Sequence, residues 1–196
     1  CSSLTDVVGG SNWRHGGSAT GMFNNCYSLV VAPWMDMSGA TNTNNMFNNC
    51  YSLLSVPSYT LTAVTNAGTM FGNCYSLRTM PKISLPNTGA STMGGLFQNC
   101  YSLSEITGGL NIPYATNTLQ LYDGCRSLQS IPDITSTANL TATNQFFQNC
   151  SKLLSAPNVS NTTNVTSTNA MFNGCNSLLT LSNRSDMVFL RVYLSI

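Results

Sequence analysis

Charged side chains are scarce in this sequence. Asp, Glu, Lys and Arg make up 7% of the 196 residues, against roughly a quarter in ordinary globular domains. The formal net charge is +1, and the basic residues are scattered along the chain. A nucleic-acid partner requires a basic stripe, and an anionic membrane surface requires a polybasic segment. The sequence therefore predicts neither of these partners.

Long apolar runs are also missing. A transmembrane helix needs about 18 or more consecutive apolar residues, and no such run occurs here. The chain starts at Cys1, and no charged segment followed by an apolar one marks a signal peptide. We interpret its ends as cut or processed, so the missing signal peptide does not bear on secretion.

The sequence lacks the combinations of residues that carry catalytic or metal chemistry. His15 is the one histidine, no C-x-x-C pair occurs, and there is no phosphate-binding G-x-x-x-x-G-K-[ST] loop. The carboxylates fall at dissimilar phases of the repeat described below, so stacking does not pair them as an acid and a base. The sequence predicts a protein without enzymatic activity, metal or cofactor. The six carboxylates are Asp6, Asp36, Glu105, Asp123, Asp133 and Asp186.

Cysteine reveals how the chain is organised. The eight cysteines are 24 to 26 residues apart, and the pattern Met/Leu-Phe-x-x-Cys-x-Ser-Leu recurs around most of them. Periods of roughly 20 to 50 residues are typical of solenoids and propellers, and this one lies in the leucine-rich-repeat range. Each repeat is named below by its cysteine. These are Cys1, Cys26, Cys50, Cys74, Cys100, Cys125, Cys150 and Cys175.

Apolar positions within the repeat predict a short strand after each cysteine. The third residue after it is leucine in every full repeat, the sixth is apolar, and proline often follows and ends the pairing. A further apolar residue lies ten positions before the next cysteine. The Thr-, Asn- and Gly-rich stretch between that residue and the cysteine predicts one helical or 3₁₀ turn.

Stacking is the way such a unit buries its apolar residues. We predict a leucine-rich-repeat-like solenoid over residues 1–181, with a parallel β-sheet on one face and short helical or 3₁₀ turns and loops on the other. Stacking places Phe71 between Phe47 and Phe97. Residues 182–196 break the repeat and alternate like a strand, which predicts a C-terminal cap or a docking strand.

The cysteines of neighbouring repeats are not expected to form disulfides. Equivalent residues on adjacent coils point in parallel at about a strand spacing, outside the roughly 3.5–4.5 Å between Cβ atoms that a bridge requires. We predict a buried ladder of free thiols in which cysteine acts as a small apolar filler.

The repeat resembles the BspA-like branch of the leucine-rich repeats. The resemblance rests on strings such as AVTNAGTMFGNCYSLRTMP and NVTSTNAMFNGCNSLLTL, and it covers roughly residues 1–181. Proline stands where many members have an aspartate-serine strand end, and segments 11–17 and 108–114 are irregular. Related repeats occur in bacterial surface proteins, mycoplasma-type lipoproteins and phage or viral proteins. The resemblance implies attachment or recognition outside the cell, and no catalytic residues.

A run of tyrosines directly after the cysteine is the one candidate binding site. Stacking turns it into an aromatic stripe, which suits a sugar or a protein partner because it offers apolar area and hydroxyls at low entropic cost. In the other interpretation the rings stack on one another and cover the sheet. Neighbouring positions four and five after the cysteine vary and are expected to face outward. The stripe is Tyr27, Tyr51, Tyr75 and Tyr101.

These observations predict an extracellular adhesion or binding module of a bacterial surface protein or a phage tail or fibre. Its partner would be a glycan or protein on a cell surface. The alternative is a purely structural element that packs into a filament or virion through the ends of the stack, where self-association is expected. Five Asn-x-Ser/Thr triplets are interpreted as a product of composition rather than as glycan sites. They begin at Asn139, Asn158, Asn161, Asn164 and Asn183.

Overall fold

The computed structural model describes most of the chain and contains short parallel strands. The predicted cap at 182–196, and the triplets at Asn158, Asn161 and Asn183, lie outside the described residues. These are 1–8, 13–81, 83–84, 91–107, 109–112, 114–134, 139–157 and 163–181. The strands are β1 (Arg14–Ser18), β2 (Asp36–Asn42), β3 (Thr79–Met80), β4 (Ile83–Ser84), β5 (Ser91–Thr92), β6 (Glu105–Ile106), β7 (Leu110–Asn111), β8 (Ala115–Asn117), β9 (Ser155–Ala156) and β10 (Thr180–Leu181).

Strands of successive repeats pair with each other. The two-stranded sheets are β1–β2, β3–β6, β4–β7, β5–β8 and β9–β10, all parallel. In β3–β6, for example, Met80 is aligned with Ile106, each six residues after its cysteine. Single parallel bridges such as Val31 to Ser55 continue the same alignment outside the named strands. The repeats are thus in register at β3–β6 and β9–β10, whereas β1–β2 and β5–β8 contain register shifts.

The stretch before each cysteine, where the sequence predicts one helical or 3₁₀ turn, is a chain of separate hydrogen-bonded turns. In the Cys50 repeat, the N–H groups of Met46, Asn48 and Cys50 each donate to the carbonyl three residues back, at 3.1 Å. The N–H groups between them donate to the next repeat, as in the 2.8 Å bond from Phe47 to the carbonyl of Met70. Backbone donors thus alternate between closing a turn and joining two repeats.

Left-handed backbone conformations are the physical reason why no helix forms there. Two positions of each repeat, five residues and one residue before the cysteine, have a positive φ, which interrupts any right-handed helical run. Asparagine or glycine occupies the second position in every full repeat, the two residues that tolerate this conformation best. Its members are Asn25 (φ 62), Asn49 (φ 62), Asn73 (φ 59), Asn99 (φ 59), Gly124 (φ 78), Asn149 (φ 59) and Gly174 (φ 78).

The core consists of ladders of like residues running from repeat to repeat. The predicted burial of the leucine three after the cysteine is confirmed in the Cys26 to Cys150 repeats, with Leu29, Leu53 and Leu77 each 0% exposed. Phe71 is stacked between two rings as predicted, with centroids 5.7 Å from Phe47 and 5.8 Å from Phe97. Stacked aromatic rings and leucines therefore hold successive repeats together.

Candidate functional site

The outward face of the strand segment is formed by positions one, four and five after each cysteine. All ten residues at positions four and five from the Cys26 to the Cys125 repeat are exposed, which confirms the sequence prediction. Buried residues lie on either side of each exposed pair, three and six after the cysteine, so the same segment supplies both a core face and a solvent face. The exposed pairs are Val30-Val31, Leu54-Ser55, Arg78-Thr79, Ser104-Glu105 and Gln129-Ser130.

The four candidate tyrosines form one continuous stack. The ring centroids are 4.8 Å apart at each step from Tyr27 through Tyr51 and Tyr75 to Tyr101, with interplanar angles of 13°, 5° and 3°. The guanidinium of Arg126 continues the stack, 4.5 Å from the Tyr101 ring centroid. Because each inner ring has a neighbour on both faces, the stack presents ring edges and hydroxyls to solvent. A sugar sandwiched against a ring face is therefore excluded for the inner rings.

Stacking also changes the acidity of one ring. Burial raises the pKa of Tyr75, and the neighbouring Tyr101 and Tyr51 raise it further because adjacent phenolates would repel one another. The Tyr75 hydroxyl is consequently uncharged at neutral pH.

An exposed apolar patch lies at the N-terminal half of this outward face. Tyr27 and Tyr51 are 39% and 37% exposed, and Leu54 is 39% exposed. The residues adjoin one another, since Leu54 N–H donates to the Val30 carbonyl at 2.8 Å and the two rings are in contact. The patch, called the apolar patch below, comprises Tyr27, Val30, Val31, Tyr51 and Leu54.

Cysteine has a role that the sequence interpretation missed. Each thiol from Cys50 onward lies within hydrogen-bond distance of a backbone carbonyl in the preceding repeat, as in the 3.2 Å contact from Cys74 Sγ to the Phe47 oxygen. Burial raises the pKa of the Cys50 thiol to about 12. These protonated thiols are donors as well as core fillers, and they are free in the structure. The thiol-to-carbonyl distances are 3.0–3.2 Å for Cys50, Cys74, Cys100, Cys125, Cys150 and Cys175.

Asparagine side chains form a second ladder on the turn side of the repeats. Asn49 Nδ2 donates to Asn25 Oδ1 at 2.8 Å, and Asn73 and Asn99 repeat this contact at 2.8 and 2.9 Å. Gly124 interrupts the ladder because it has no side-chain amide. The buried carboxylate of Asp123 continues it there, accepting from three amide groups. The donors are Gln98 Nε2 at 3.3 Å, Gln120 Nε2 at 3.5 Å and Asn149 Nδ2 at 3.1 Å.

Metal-binding clusters and membrane-spanning helices are both absent from the residues that the structure describes. No group of three or more His, Cys, Asp or Glu side chains is placed to hold a metal ion in that part of the chain. The same residues contain no helix with the length and apolar character needed to cross a membrane.

Successive units that bond to each other through the same backbone, thiol and asparagine contacts define a tandem-repeat protein. Residues 12–84 and 82–184 match the model of a family described as "Mycoplasma protein of unknown function, DUF285". The chain belongs to this family. Comparison with curated proteins found no match, and neither did comparison with solved structures.

Proposed function

We propose that this chain is a non-enzymatic extracellular adhesion or binding module, a leucine-rich-repeat-like solenoid of the BspA-like branch. It would belong to a bacterial surface protein or to a phage tail or fibre. Two observations support the proposal. The family match extends over most of the repeats, and each described repeat hydrogen-bonds to the next at equivalent positions.

The apolar patch is the observation that carries the proposal. Exposed apolar residues scattered singly are normal on a protein surface, whereas contiguous apolar patches mark interaction sites. Val31 is 47% exposed. It follows Val30 in the chain and forms a parallel bridge with Ser55 of the next repeat. With branched side chains and ring edges together, the patch suits apolar side chains of a protein on the target cell. The low charge of the chain as a whole, 7% of residues, favours association by burial of apolar surface over electrostatic steering.

Face-to-face stacking of the tyrosines favours the alternative function, a purely structural element of a filament or virion. Rings at 4.8 Å spacing with small interplanar angles cover one another's faces. Their contacts then serve the cohesion of the stack, as expected of a scaffold with no ligand of its own.

Paired substitutions distinguish the two functions. Tyr51→Ser with Leu54→Ser removes the centre of the apolar patch, and Leu154→Ser removes a leucine at the same position of the Cys150 repeat, with 43% exposure against 39% for Leu54. Attachment of the labelled chain to panels of animal and bacterial cells is measured by flow cytometry. We expect the double variant to lose attachment while Leu154→Ser retains it.

Salt dependence and assembly complete the test. Attachment through the apolar patch is expected to persist from ~0.05 to ~0.5 M salt, because shortening of the Debye length weakens only charge-dependent association. Attachment by a folded Tyr51→Ser, Leu54→Ser variant equal to that of the parent chain would contradict the adhesion proposal. Filaments of the parent chain in electron micrographs, without attachment to any cell, would instead support the structural alternative.

A further inference from the structure

One junction between repeats lacks a hydrogen bond that the other described junctions share. Four residues after the cysteine, the N–H of each repeat donates to the carbonyl at the equivalent position of the preceding repeat. Arg78 donates to Leu54 at 3.3 Å and Ser104 donates to Arg78 at 2.9 Å, and Leu154 donates to Gln129 at 2.9 Å. Within the described part of the chain, no such bond joins Gln129 to Ser104. The parallel pairing of strands is therefore open between the Cys100 and Cys125 repeats.

The opening is bounded on both sides by intact contacts. Before it, Ser127 N–H donates to the Tyr101 carbonyl at 3.2 Å, so the two repeats are still joined directly after their cysteines. Beyond it, Pro132 packs against the Gly109 backbone, where an added Cβ would lie 3.2 Å from the Pro132 Cβ. The gap is thus a local groove bounded by these two contacts.

The groove has a volume of about 410 Å³ and a lining that combines hydroxyl and apolar groups. Ile106 and Ile131, which are 3% and 9% exposed, supply apolar lining. Glu105 is exposed, and no ion pair to it occurs among the described residues. The lining consists of Ser104, Glu105, Ile106, Thr107, Ser130, Ile131 and Pro132.

We infer that this groove binds a neutral pyranose sugar. A pyranose carries hydroxyls that both donate and accept, together with an apolar C–H face. The groove offers a matching set: the Ser104 carbonyl and the Glu105 carboxylate accept, the Thr107 and Ser130 hydroxyls do both, and the isoleucines supply apolar lining. Glu105 is the charged group of the lining, so an acidic sugar is repelled. An extended peptide is disfavoured because the open stretch is only a few residues long.

This inference does not depend on the apolar patch, which lies on other repeats. The test uses the uniformly ¹⁵N-labelled chain, titrated at millimolar concentration with methyl glycosides of glucose, galactose, mannose and N-acetylglucosamine. N-acetylneuraminic acid and methylammonium serve as the anionic and cationic probes. We expect at least one neutral glycoside to shift the amide resonances of 104–107 and 130–131, and neither charged probe to do so.

Two variants and one control locate the site. Glu105→Ala removes the carboxylate acceptor and is expected to weaken glycoside binding at least tenfold. Ser130→Trp fills the groove and should abolish binding. Ser55→Trp places the same ring at the same position of the Cys50 repeat, where the strands are bridged, and should bind as the parent chain does. The inference is overturned if no neutral glycoside shifts these resonances, if methylammonium alone does so, or if Ser55→Trp is equally impaired.

Discussion

The thiol of Cys100 lies 3.1 Å from the carbonyl oxygen of Phe71 in the preceding repeat. That oxygen also accepts the N–H of Cys74 at 3.2 Å, so it is bonded from its own repeat and from the next one. The cysteine ladder therefore satisfies a second lone pair on the carbonyl of the ring-bearing residue. Cysteine at this position links repeats as well as filling space.

Substitutions at Cys100 separate these two roles. Cys100→Ala removes both the sulfur atom and the donor, and we expect the free energy of unfolding to fall by about 1–3 kcal/mol. Cys100→Ser is expected to cost less, because the serine hydroxyl still donates to the Phe71 oxygen. Urea unfolding followed by circular dichroism measures both. If serine costs as much as alanine or more, the thiol acts only as a filler.

Alkaline pH is expected to destabilise the chain. Burial raises the pKa of Cys50 to about 12 and that of Cys175 to about 11, from 9.0. Above about pH 9 the unfolded chain loses thiol protons that the folded chain retains, so unfolding becomes more favourable. The stabilisation is fully present below pH 9 and is lost as the pH rises, by up to about 1.4 kcal/mol per pH unit for each thiol. Urea unfolding at increasing pH measures the slope.

A serine variant and an alkylating reagent provide the controls for this prediction. Cys50→Ser removes one titrating group and should make the pH dependence shallower, and an unchanged slope would contradict the assignment to thiols. In the native state at neutral pH, iodoacetamide should modify exposed Cys1, while Cys26 to Cys150 react only after denaturation. An intact mass showing the loss of two protons per cysteine pair would instead indicate disulfides.

Phe71→Ala should produce a large but local defect. The ring is 1% exposed and stacked on both sides, so its removal leaves a cavity and costs on the order of 3–5 kcal/mol. Because each repeat contacts mainly its neighbours, the loosening should be centred on the Cys50, Cys74 and Cys100 repeats. Hydrogen exchange with mass spectrometry is the measurement. A uniform rise in exchange along the chain would contradict the nearest-neighbour description.

Gly124 is expected to tolerate asparagine better than alanine. Its φ is +78, and an added Cβ would lie 2.6 Å from Asn99 Oδ1 and 3.3 Å from the Asn99 Cα. The alanine Cβ would meet this crowding. Alanine would also have to adopt a left-handed backbone conformation, which costs about 1–2 kcal/mol. Asparagine occupies the same position in the Cys74 and Cys100 repeats, so its amide can displace the Asn99 side chain and join the ladder. Thermal unfolding measures the stability of both variants. A Gly124→Asn chain that is less stable than the Gly124→Ala chain would refute the prediction.

Periodicity alone was sufficient to predict the core. Leu53, Phe71 and Val64 are buried because apolar residues recur at fixed distances from a cysteine, and stacking in register is enough to bury them. The outward exposure of positions such as Leu54 follows from the same repeat, because these variable positions lie between the buried positions three and six after the cysteine. The tyrosine stack also follows from the period. The extent to which the rings cover one another is known only from the distances between their centroids in the structure.

Other features depend on details that the pattern does not contain. The thiol bond to Phe71 requires the position of a carbonyl in the neighbouring repeat, which no residue type indicates. The left-handed positions could have been predicted from the sequence. Every cysteine of a full repeat is directly preceded by asparagine or glycine, as at Asn99 and Gly124. The groove arises near the irregular segment 108–114, but its opening depends on a single missing backbone bond at Ser104.

Contacts such as the bond from Phe47 N–H to the Met70 carbonyl run from one repeat to the next at 2.8 Å. A pulling force applied between the two ends of the stack therefore loads all the junctions in series, and the weakest one yields while the others hold. Each repeat that unravels, 24 to 26 residues, releases roughly 85 Å of chain. Under tension the protein lengthens stepwise, which limits the peak load on anything attached to it.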